Sequence, residues 1–595
     1  MKEFFKFTLA TMTGIVLLFT TMTVIGLFTL GYIIASESSN EKIADNSVMS
    51  INLAGMVEER TENTLDPLFQ LLGTGMETMG LNQLTDAIKK AEKEPNIKGI
   101  YIEAGAVEFD SPATAFALRN ALSDFKKSGK WVVAYGDNIT QSAYFVASVA
   151  DKFYLNHTGM IDFRGMGSKM EYYKGLYDKI GVNYQATRVG KYKSYVERQT
   201  RTSMSDEDRE QRMTYLKGIW QLMLNDISAS RKVNVAQLND FANDSILAFA
   251  DQKDYVKMKL IDGLYYPEEL QKEIKKRLSI DEDDDISQVS PKQVALAVSD
   301  NKKKGEEVAI YYATGEITDQ DLSSLTGEKG IVGRQTVKDL QELRDDEDVK
   351  AVVVRINSGG GSAVASEQIY HAMKELAKKK PLVVSMGGAA ASGGYMMSCG
   401  ADYIVAEPST ITGSIGIFGL IPNVSGLLTD KLGITFDEVS TNKYTLAMQN
   451  IVMDKDNSEL LGMMQNYVDR GYNRFLTIVA QGRKMKKEQV HEVAQGRVWL
   501  AKDALQHHLV DRLGSLEDAV AKAAELAKLK EHHTAVYPSD TDWLEQLLNQ
   551  QQQNNYLDGE IKKLLGSHYD EWVMMRTAEK RNRLQASLPF SIRMQ

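Results

Sequence analysis

The sequence is poor in the residues that hold disulfides and metal ions. Cys399 is the only cysteine among 595 residues, so neither an intrachain disulfide nor a cysteine-based metal site is possible. The eight histidines are scattered and show no HExxH or similar ligand spacing. We therefore predict no metal in the functional site.

Signals for nucleotide or nucleic-acid binding are also missing. No GxxxxGK[ST] phosphate loop occurs, so nothing in the sequence implies ATP. The formal net charge of −10 argues against a general nucleic-acid-binding protein. We therefore predict a protein without a cofactor and without a nucleic-acid partner.

One long apolar segment lies at the N-terminus. After Lys2 and Lys6, residues 7–36 carry no charge. This segment exceeds the roughly 20 residues that span a bilayer and the roughly 7–15-residue core of a cleaved signal peptide. We predict an uncleaved membrane anchor at residues 1–36, with a cleaved signal as the alternative. The two lysines keep the short N-terminal side in the cytoplasm, so the bulk of the chain is expected outside it.

The rest of the chain contains two units that repeat each other. Matching segments recur at an offset of about 250 residues, and chance does not maintain such a register over so many segments. Each unit alternates short apolar strands with helical stretches, the pattern of βαβ units in an α/β fold. The predicted domains are an N-terminal repeat at 47–275, a linker at 276–306, a C-terminal repeat at 307–530 and a C-terminal extension at 531–595.

The two repeats differ at the positions that could carry chemistry. Ser392, in the motif AASGGY, corresponds to Gln141 of the first repeat. Lys193, in the motif RVGKYKS, corresponds to Thr445 of the second repeat. One repeat offers a serine without the lysine, and the other offers a lysine without the serine. A purely structural duplication gives no reason for this division, so we predict one active site that both repeats build.

Ser392 lies where a strand is expected to meet a helix. The apolar run 382–384 predicts a buried strand, two glycines break it, and a helix can start near Ser392. Free N–H groups and the dipole at a helix N-terminus favour negative charge, which suits a serine that carries an oxyanion beside it. Gly393 and Gly394 are poor helix residues, but they let another backbone approach closely. A glycine-rich corner packed for steric reasons is the alternative interpretation.

A serine nucleophile needs a base, and no histidine is well placed for that role. His371 is the nearest in sequence, but it lies in an amphipathic run that predicts a surface or helix-packing residue. A neutral lysine is the other option. Its ordinary pKa of about 10.4 must fall by roughly 3 units, and burial alone shifts a lysine by about 3–5 units. Lys191 and Lys193 both qualify, because alternate residues of a strand face the same side.

A second glycine-rich segment is suited to an oxyanion hole. Residues 355–362, RINSGGGS, follow the apolar strand 351–354, and a glycine-rich strand exit lets backbone N–H groups point into a site. Phosphate binding is a rival interpretation, but no Walker lysine or long Rossmann unit accompanies the segment. Cys399 is a rival nucleophile, although its place on an apolar helix face predicts an inert buried thiol.

Together these motifs resemble those of the signal peptide peptidase A family in its long, duplicated form. That family comprises membrane-anchored serine peptidases of the Clp-protease/crotonase-like superfamily. The resemblance rests on AASGGY, RINSGGGS, TGSIG and RVGKYKS. With the apolar N-terminus and the duplication, it covers essentially the whole chain.

The resemblance implies a role for each motif. Ser392 would be the nucleophile, Lys193 the general base, and Ser414 a hydrogen-bond partner of the lysine. Backbone N–H groups of Gly361 and Gly393 would line the oxyanion hole. The family also implies a homotetrameric bowl that digests the remnants of signal peptides.

The chain departs from the family pattern in two places. Gly359 stands where the family usually has a proline, and the sequence after Lys193 runs VERQTRTSMS rather than the common VEPF type. Both departures concern the geometry of loops. Neither changes the serine or the lysine.

From these patterns we expect tandem Clp/crotonase-like βαβ domains behind an N-terminal transmembrane helix. The expected function is a serine endopeptidase that cleaves apolar peptides, such as cleaved signal peptides, through an acyl-enzyme on Ser392. The expected location is the inner membrane of a bacterium, single-pass, with the catalytic part on the periplasmic side. Two alternatives are a crotonase-like acyl-thioester enzyme, which would not need the divided serine and lysine, and an inactive membrane scaffold.

Overall fold

The computed structural model describes residues 42–60, 78–244, 250–298, 304–321, 330–538 and 585–587, together with a few positions before residue 23. Within this part of the chain, no helix combines the length and the apolar composition that a membrane crossing requires. The anchor predicted at residues 1–36 lies almost entirely outside the described residues. The same holds for most of the predicted C-terminal extension.

The strands are numbered in chain order. Before residue 300 they are β1 (Ser47–Glu58), β2 (Thr78–Gly80), β3 (Ile97–Phe109), β4 (Trp131–Ile139), β5 (Lys152–Ile161), β6 (Asn183–Arg188), β7 (Gly263–Leu264) and β8 (Gln288–Val289). After it they are β9 (Glu306–Thr314), β10 (Ile317–Thr318), β11 (Ile331–Val332), β12 (Val349–Ser358), β13 (Gly360–Ser362), β14 (Leu382–Ala391), β15 (Tyr403–Ala406), β16 (Ile411–Gly413), β17 (Phe418–Asn423), β18 (Val498–Leu500), β19 (Arg512–Leu513), β20 (His532–Tyr537) and β21 (Gln585–Ser587).

The helices are numbered in the same way. Before residue 300 they are α1 (Leu81–Lys93), α2 (Pro112–Lys127), α3 (Gln141–Ala147), α4 (Lys174–Ile180), α5 (Glu197–Thr200), α6 (Asp206–Arg231), α7 (Val235–Asp244), α8 (Gln252–Lys257), α9 (Pro267–Leu278) and α10 (Pro291–Ala297). After it they are α11 (Gly333–Asp345), α12 (Ala363–Ala377), α13 (Gly393–Ser398), α14 (Ala447–Met453), α15 (Ser458–Arg483), α16 (Lys487–Val493), α17 (Ala501–Gln506) and α18 (Leu516–Leu526).

Two sheets follow the same plan. In the first repeat the parallel order is β1-β3-β4-β5-β7, and in the second it is β9-β12-β14-β15-β19. Helices connect most of these strands, as parallel pairing requires. The inward-facing residues are mostly Val, Ile, Leu and Ala, so a separate hydrophobic core forms beside each sheet. The α/β architecture predicted from the sequence is therefore confirmed.

Side-chain contacts repeat along with the strands. The buried hydroxyl of Tyr144 donates to the carbonyl oxygen of Leu260 at 3.0 Å. In the second repeat, the hydroxyl of Tyr395 donates to the carbonyl oxygen of Leu509 at 2.8 Å. A buried phenol needs a hydrogen-bond partner, and both repeats supply it from the same place in the fold. The duplication predicted from the sequence is thus present in the packing.

Two short elements lie within the predicted linker. Strand β8 pairs in parallel with β1, and α10 packs on α1 with Val294 fully buried. The ammonium group of Lys90 donates to the carbonyl oxygen of Ala295 at 3.0 Å. Residues 288–297 therefore belong to the packed structure of the first repeat. At the other end of the second repeat, β20 extends its sheet by pairing in parallel with β9.

A third sheet joins the two repeats. Its strand order is β11-β10-β13-β21-β17-β6, and β6 of the first repeat pairs antiparallel with β17 of the second. This pairing brings the segment after β6 over the second repeat. The segment carries the lysine that the sequence analysis selected.

A buried ionic cluster also crosses the boundary between the repeats. The Nε atom of Arg355, on β12, lies 2.7 Å from Oε1 of Glu59, and its guanidinium also contacts Glu407 at 3.4 Å. Burial raises the pKa of Glu407 to about 7 in spite of this cation. Nearby, the amide of Asn357 donates to a carboxylate oxygen of Asp110 at 3.1 Å. Removing one partner of such a buried pair is costly, so the cluster holds the end of β12 against the first repeat.

Candidate active site

Two serines lie side by side because their strands are paired. Strand β14 ends at Ala391 and pairs in parallel with β16, so that Ala391 faces Gly413. Ser392 and Ser414 directly follow these residues. The N–H group of Ser392 donates to the carbonyl oxygen of Gly413 at 2.8 Å, which holds the two segments together.

Both serines have unusual backbone conformations. Ser392 has φ 55° and ψ −112°, and Ser414 has φ 48°. Residues other than glycine rarely adopt positive φ, and the cost is of order 1–3 kcal/mol each. Gln141, the counterpart of Ser392, does not show it. Such strain persists where the surrounding structure enforces it, and it concentrates at functional sites.

Lys193 reaches the serines from the first repeat. The pairing of β6 with β17 places Arg188 opposite Phe418, and the chain then runs toward the second repeat. At Gly496, which has φ 77°, an added Cβ would lie 2.7 Å from Cβ of Lys193. Only a glycine permits this close approach without displacing the lysine. The guanidinium of Arg188 donates to the carbonyl oxygen of Lys193 at 3.0 Å and holds the turn.

The amine of Lys193 contacts both serines. Its Nζ atom lies 2.7 Å from Oγ of Ser392, 3.0 Å from Oγ of Ser414 and 3.2 Å from the carbonyl oxygen of Ser414. A neutral amine has two N–H groups and one lone pair. The two N–H groups can donate to Ser414, which leaves the lone pair to accept the hydroxyl proton of Ser392. The contacts therefore match the neutral form of the lysine.

Burial favours the same protonation state. The side chains of Lys193, Ser392 and Ser414 are fully buried. Burial lowers the pKa of Lys193 well below its ordinary value, because a charged amine loses its hydration in the interior. Among the described residues, no carboxylate forms an ion pair with this amine. The environment therefore favours the neutral form of the amine, which is the form that can accept a proton.

The rival residues named from the sequence do not join this cluster. Lys191 is exposed, and its ammonium lies 5.1 Å from the centre of the Tyr192 ring. His371 lies on the exposed face of α12. Cys399 is buried and donates to the carbonyl oxygen of Tyr395, and burial raises the pKa of its thiol to about 12. A thiol with that pKa is not a nucleophile at neutral pH.

The glycine-rich segment after β12 packs beside Ser392. The hydroxyl of Ser358 donates to the carbonyl oxygen of Gly315 at 2.6 Å and accepts from the N–H group of Gly360. A Cβ at Gly361 would overlap the carbonyl oxygen of Ile317, and one at Gly394 would lie 3.0 Å from the carbonyl oxygen of Ser358. Gly361 thus lets β13 approach β10, and Gly394 lets the start of α13 approach the end of β12. Because α13 also contacts β13, the two segments that carry Gly361 and Gly393 are neighbours.

The chain's own strand β21 lies next to this corner. It pairs antiparallel with β13, where Ala586 faces Gly361, and with β17, where Gln585 faces Phe418. Beside Ser392, the third sheet thus has a position that accepts an extended segment by backbone pairing.

A polar network under Lys193 was not foreseen from the sequence. The hydroxyl of Ser194 donates to Oδ1 of Asp208 at 2.6 Å, and the amide of Gln211 donates to the carbonyl oxygen of Tyr192 at 3.1 Å. The carbonyl oxygen of the same amide accepts from the N–H group of Val498, in the second repeat, at 3.3 Å. No spacing rule links these residues, because the contacts join separate parts of the chain. The network fixes the turn that carries the lysine.

Comparison with known proteins links this chain to a family of peptidases. The model of Peptidase family S49 matches residues 124–281 and 374–530, and a Clp protease model matches residues 326–410. The chain is 37% identical to Protease 4 of Salmonella typhi over 87% of this chain and 84% of that protein. It is 34% identical to Protease 4 of Haemophilus influenzae over 86% of this chain and 84% of that protein. It is also 27% identical to the chloroplastic serine protease SPPA of Arabidopsis thaliana, over 82% of this chain and 70% of that protein.

Proposed function

The chain belongs to peptidase family S49 and is a serine protease, and we propose that Ser392 is its nucleophile and Lys193 its general base. The observation that carries this proposal is the 2.7 Å separation between Nζ of Lys193 and Oγ of Ser392. A base must lie within about 2.6–3.2 Å of the group whose proton it takes. An acyl-thioester enzyme or an inactive scaffold would have no need of this buried contact between two repeats.

In the first half of the reaction, the neutral amine takes the hydroxyl proton of Ser392. The Oγ atom attacks the carbonyl carbon of the scissile peptide bond and forms a tetrahedral intermediate. The protonated Lys193 then gives its proton to the leaving amine, the C–N bond breaks, and an acyl-enzyme remains on Ser392. Ser414 orients the lysine through its hydroxyl and its carbonyl oxygen.

Backbone N–H groups of Gly361 and Gly393 stabilise the oxyanion of the intermediate in this proposal. Donors that are fixed before the reaction act strongly in a buried site, and one such donor contributes about 10²–10³-fold to kcat. In the second half of the reaction, Lys193 takes a proton from water. The water attacks the carbonyl carbon of the ester and forms a second tetrahedral intermediate. The protonated Lys193 returns its proton to Oγ of Ser392 as the C–O bond breaks, which releases the acid product and the free serine.

We propose that the substrates are extended apolar peptides, including the remnants of cleaved signal peptides. The pairing of β21 with β13 and β17 supports this binding mode, because an extended peptide can take the same strand position. The position that Gln585 of β21 occupies faces Phe418, an apolar residue whose ring centre lies 5.9 Å from the amine of Lys193.

A peptide library tests this substrate class. We expect hydrolysis to be much faster for peptides with a small or apolar residue before the scissile bond than for peptides with a charged one, because a buried site does not hydrate the charge. The cleavage sites can be read by mass spectrometry, with the Ser392→Ala variant as the control for contaminating proteases. A preference for Asp or Arg before the bond would contradict the proposal.

We propose further that residues 1–36 anchor a homotetramer in the inner membrane of a bacterium, with the catalytic part on the periplasmic side. The uncharged stretch from 7 to 36 and the preceding Lys2 and Lys6 support this topology. Protease added to spheroplasts should digest the catalytic part without rupture of the inner membrane. Digestion that requires rupture would place the catalytic part in the cytoplasm and contradict the topology.

A further inference from the structure

Strand β14, which leads to Ser392, has a bulge where it passes the end of β12. Ile356 pairs with Met386, and Ser358 pairs with Ala390, so β14 advances by four residues while β12 advances by two. The two extra residues shift the register between the strands at this point. Because Ser392 follows Ala390 by two positions, the bulge sets the register in which β14 delivers the proposed nucleophile.

Two glycines of the bulge make room for the first repeat. At Gly388, an added Cβ would overlap the side chain of Ser111, which lies between β3 and α2. At Gly387, an added Cβ would lie 3.0 Å from Oε2 of Glu59. A larger residue at Gly388 would therefore displace Ser111 or the strand itself. The bulge accommodates a corner of the first repeat.

The side chain of Asn357 bridges the two strands at the bulge. Its Oδ1 atom accepts from the N–H group of Ala389, on β14, at 3.1 Å. Its Nδ2 atom donates to Oδ2 of Asp110, in the first repeat, at 3.1 Å. These two partners set the orientation of the amide, because the N–H group requires an acceptor and the carboxylate oxygen accepts from a donor. Without Asp110, only one of the two contacts would hold the amide.

Asp110 is held in turn by its own repeat. Its Oδ2 atom accepts from the N–H group of Glu59 at 3.0 Å, and its Oδ1 atom accepts from the hydroxyl of Thr114. Both oxygens of the carboxylate are therefore fixed from the side of the first repeat. The first repeat thus fixes the carboxylate, and the carboxylate fixes the amide of Asn357 in the second repeat.

Asn357 also lies at the start of the glycine-rich segment after β12. The hydroxyl of the next residue, Ser358, accepts from an N–H group within that segment. The chain reaches Gly361 four residues after Asn357. Asn357 therefore contacts both segments that form the oxyanion hole in the proposed mechanism. One is β14, which leads to Ser392 and Gly393, and the other leads to Gly361.

The first repeat has no equivalent of this bridge. Lys98 and Lys350 occupy the same place in β3 and β12, and 350 − 98 = 252 gives the offset between the repeats there. At that offset the counterpart of Asn357 is Gly105, which has no side chain. The pairing of β3 with β4 ends before this position, at Glu103. The repeat without the serine thus also lacks the bridging amide, which agrees with a role in the reaction.

We propose that Asp110 is a positioning residue for the peptidase reaction. Through the amide of Asn357 it fixes the bulge of β14 relative to the glycine-rich segment, and so sets the distance between Oγ of Ser392 and the N–H group of Gly361. The first repeat then contributes twice to the site, with Lys193 as the base and with Asp110 as the support of the oxyanion hole. This inference rests on the proposed roles of Ser392 and Gly361.

Asp110→Ala tests the role of the carboxylate. For an apolar peptide and the full chain in detergent micelles, we expect kcat to fall by about 10–100-fold and KM to stay within about threefold, because a displacement of about 1 Å near the reacting atoms costs up to about 10²-fold. A fluorophosphonate probe should still label one serine per chain, at a lower rate, which shows that the site is folded. A kcat equal to that of the wild type would overturn the inference.

Asp110→Asn separates the hydrogen bond from a general loss of packing. Burial raises the pKa of Asp110 to about 7, and the carboxylate of Glu59 adds to the rise, so a neutral side chain suits this position. The new Oδ1 atom can accept from Glu59 and Asn357, while the new NH₂ group donates to Thr114. We expect kcat within about threefold of the wild type, because each hydrogen bond is kept. A loss as large as that of Asp110→Ala would overturn the inference.

Glu407→Gln is the matched control. Glu407 is another buried carboxylate at the boundary between the repeats, and burial raises its pKa to about 7 as well. In the described structure its carboxylate pairs with Arg355 and not with Asn357. We expect kcat within about twofold of the wild type, because the bridging amide stays in place. A loss equal to that of Asp110→Ala would show that any change at the boundary disturbs the site, which contradicts a specific role for Asp110.

Asn357→Ala tests whether Asp110 acts through the amide. It should reproduce the loss of Asp110→Ala, and the double variant should be hardly slower than either single one. Additive losses would overturn the inference. Ser392→Ala separates the inference from the proposed function. Activity that survives Ser392→Ala would refute the proposed nucleophile and this inference with it, whereas an inactive Ser392→Ala beside a fully active Asp110→Ala would refute the inference alone.

Discussion

Replacing either Ser392 or Lys193 by alanine should lower kcat by about 10⁴–10⁶-fold, and the double variant should be hardly slower than either single one. In the proposed mechanism the two residues act as a unit, because the serine attacks only when the lysine takes its proton and the lysine then passes that proton to the leaving amine. Because their contact at 2.7 Å lies in a fully buried site, we expect that a water molecule cannot take over the role of either side chain once it is removed. The measurement is hydrolysis of an apolar peptide, together with labelling of the serine by a fluorophosphonate probe.

Lys191→Ala is the matched control for this experiment. Lys191 lies two positions from Lys193, but its side chain is exposed, so we expect activity within a few-fold of the wild type. A Lys193→Ala protein that folds and keeps near wild-type turnover would identify another base and refute the dyad. Additive losses in the double variant would show that the two residues act independently.

Lys193→Met should stabilise the fold at neutral pH while it abolishes activity. Burial disfavours the charged form of this lysine in the folded state, whereas the unfolded chain holds it charged in water below about pH 10.4. Between the depressed pKa of the folded state and pH 10.4, the unfolded state binds one more proton. The stability of the wild type therefore rises with pH by about 1.4 kcal/mol per unit in that range. Methionine has a side chain of similar length and no titratable group.

The difference in stability between Lys193→Met and the wild type should consequently shrink as the pH rises toward 10. Chemical denaturation at a series of pH values from 6 to 10 measures it. Lys191→Met is the matched control, because it makes the same substitution two positions away at an exposed site. A Lys193→Met difference that does not vary with pH would show that the lysine is charged in the folded protein.

Much of the fold could be predicted from local sequence. Short apolar runs that alternate with helical stretches indicated an α/β fold, and the recurring segments indicated the duplication. The helix after Ser392 begins where the pattern predicted it, but the strand before it is longer than predicted, because it continues through the two glycines that were expected to break it and ends at Ala391. These features depend on the local order of residues along the chain, and a sequence pattern records that order directly.

Other parts could not be predicted, because they depend on contacts between distant segments. The stretch 288–297 lies between an acidic run at 281–285 and a basic run at 302–304, which favoured a linker, yet it packs on the first repeat through Val294. Arg355 lies in a glycine-rich motif, and its sequence neighbours do not indicate the buried pairing with Glu59 of the other repeat. The partners of such charged and polar residues are visible only in the folded structure, where distant segments of the chain come together.

The candidate active site shows the same limit of prediction from sequence, because its residues come from both repeats. The sequence by itself determined that Ser392 has no counterpart serine, that Lys193 has no counterpart lysine, and that the two belong to different repeats. Strand alternation turns Lys191 and Lys193 to the same side, and the comparison of the repeats together with the RVGKYKS motif favoured Lys193. Only the tertiary structure decided how this lysine reaches the serine: β6 pairs with β17, Gly496 lets the backbone of Lys193 approach, and the amine of that residue is buried against Ser392. Burial lowers the pKa of a lysine, and burial is created by packing, which no local pattern contains.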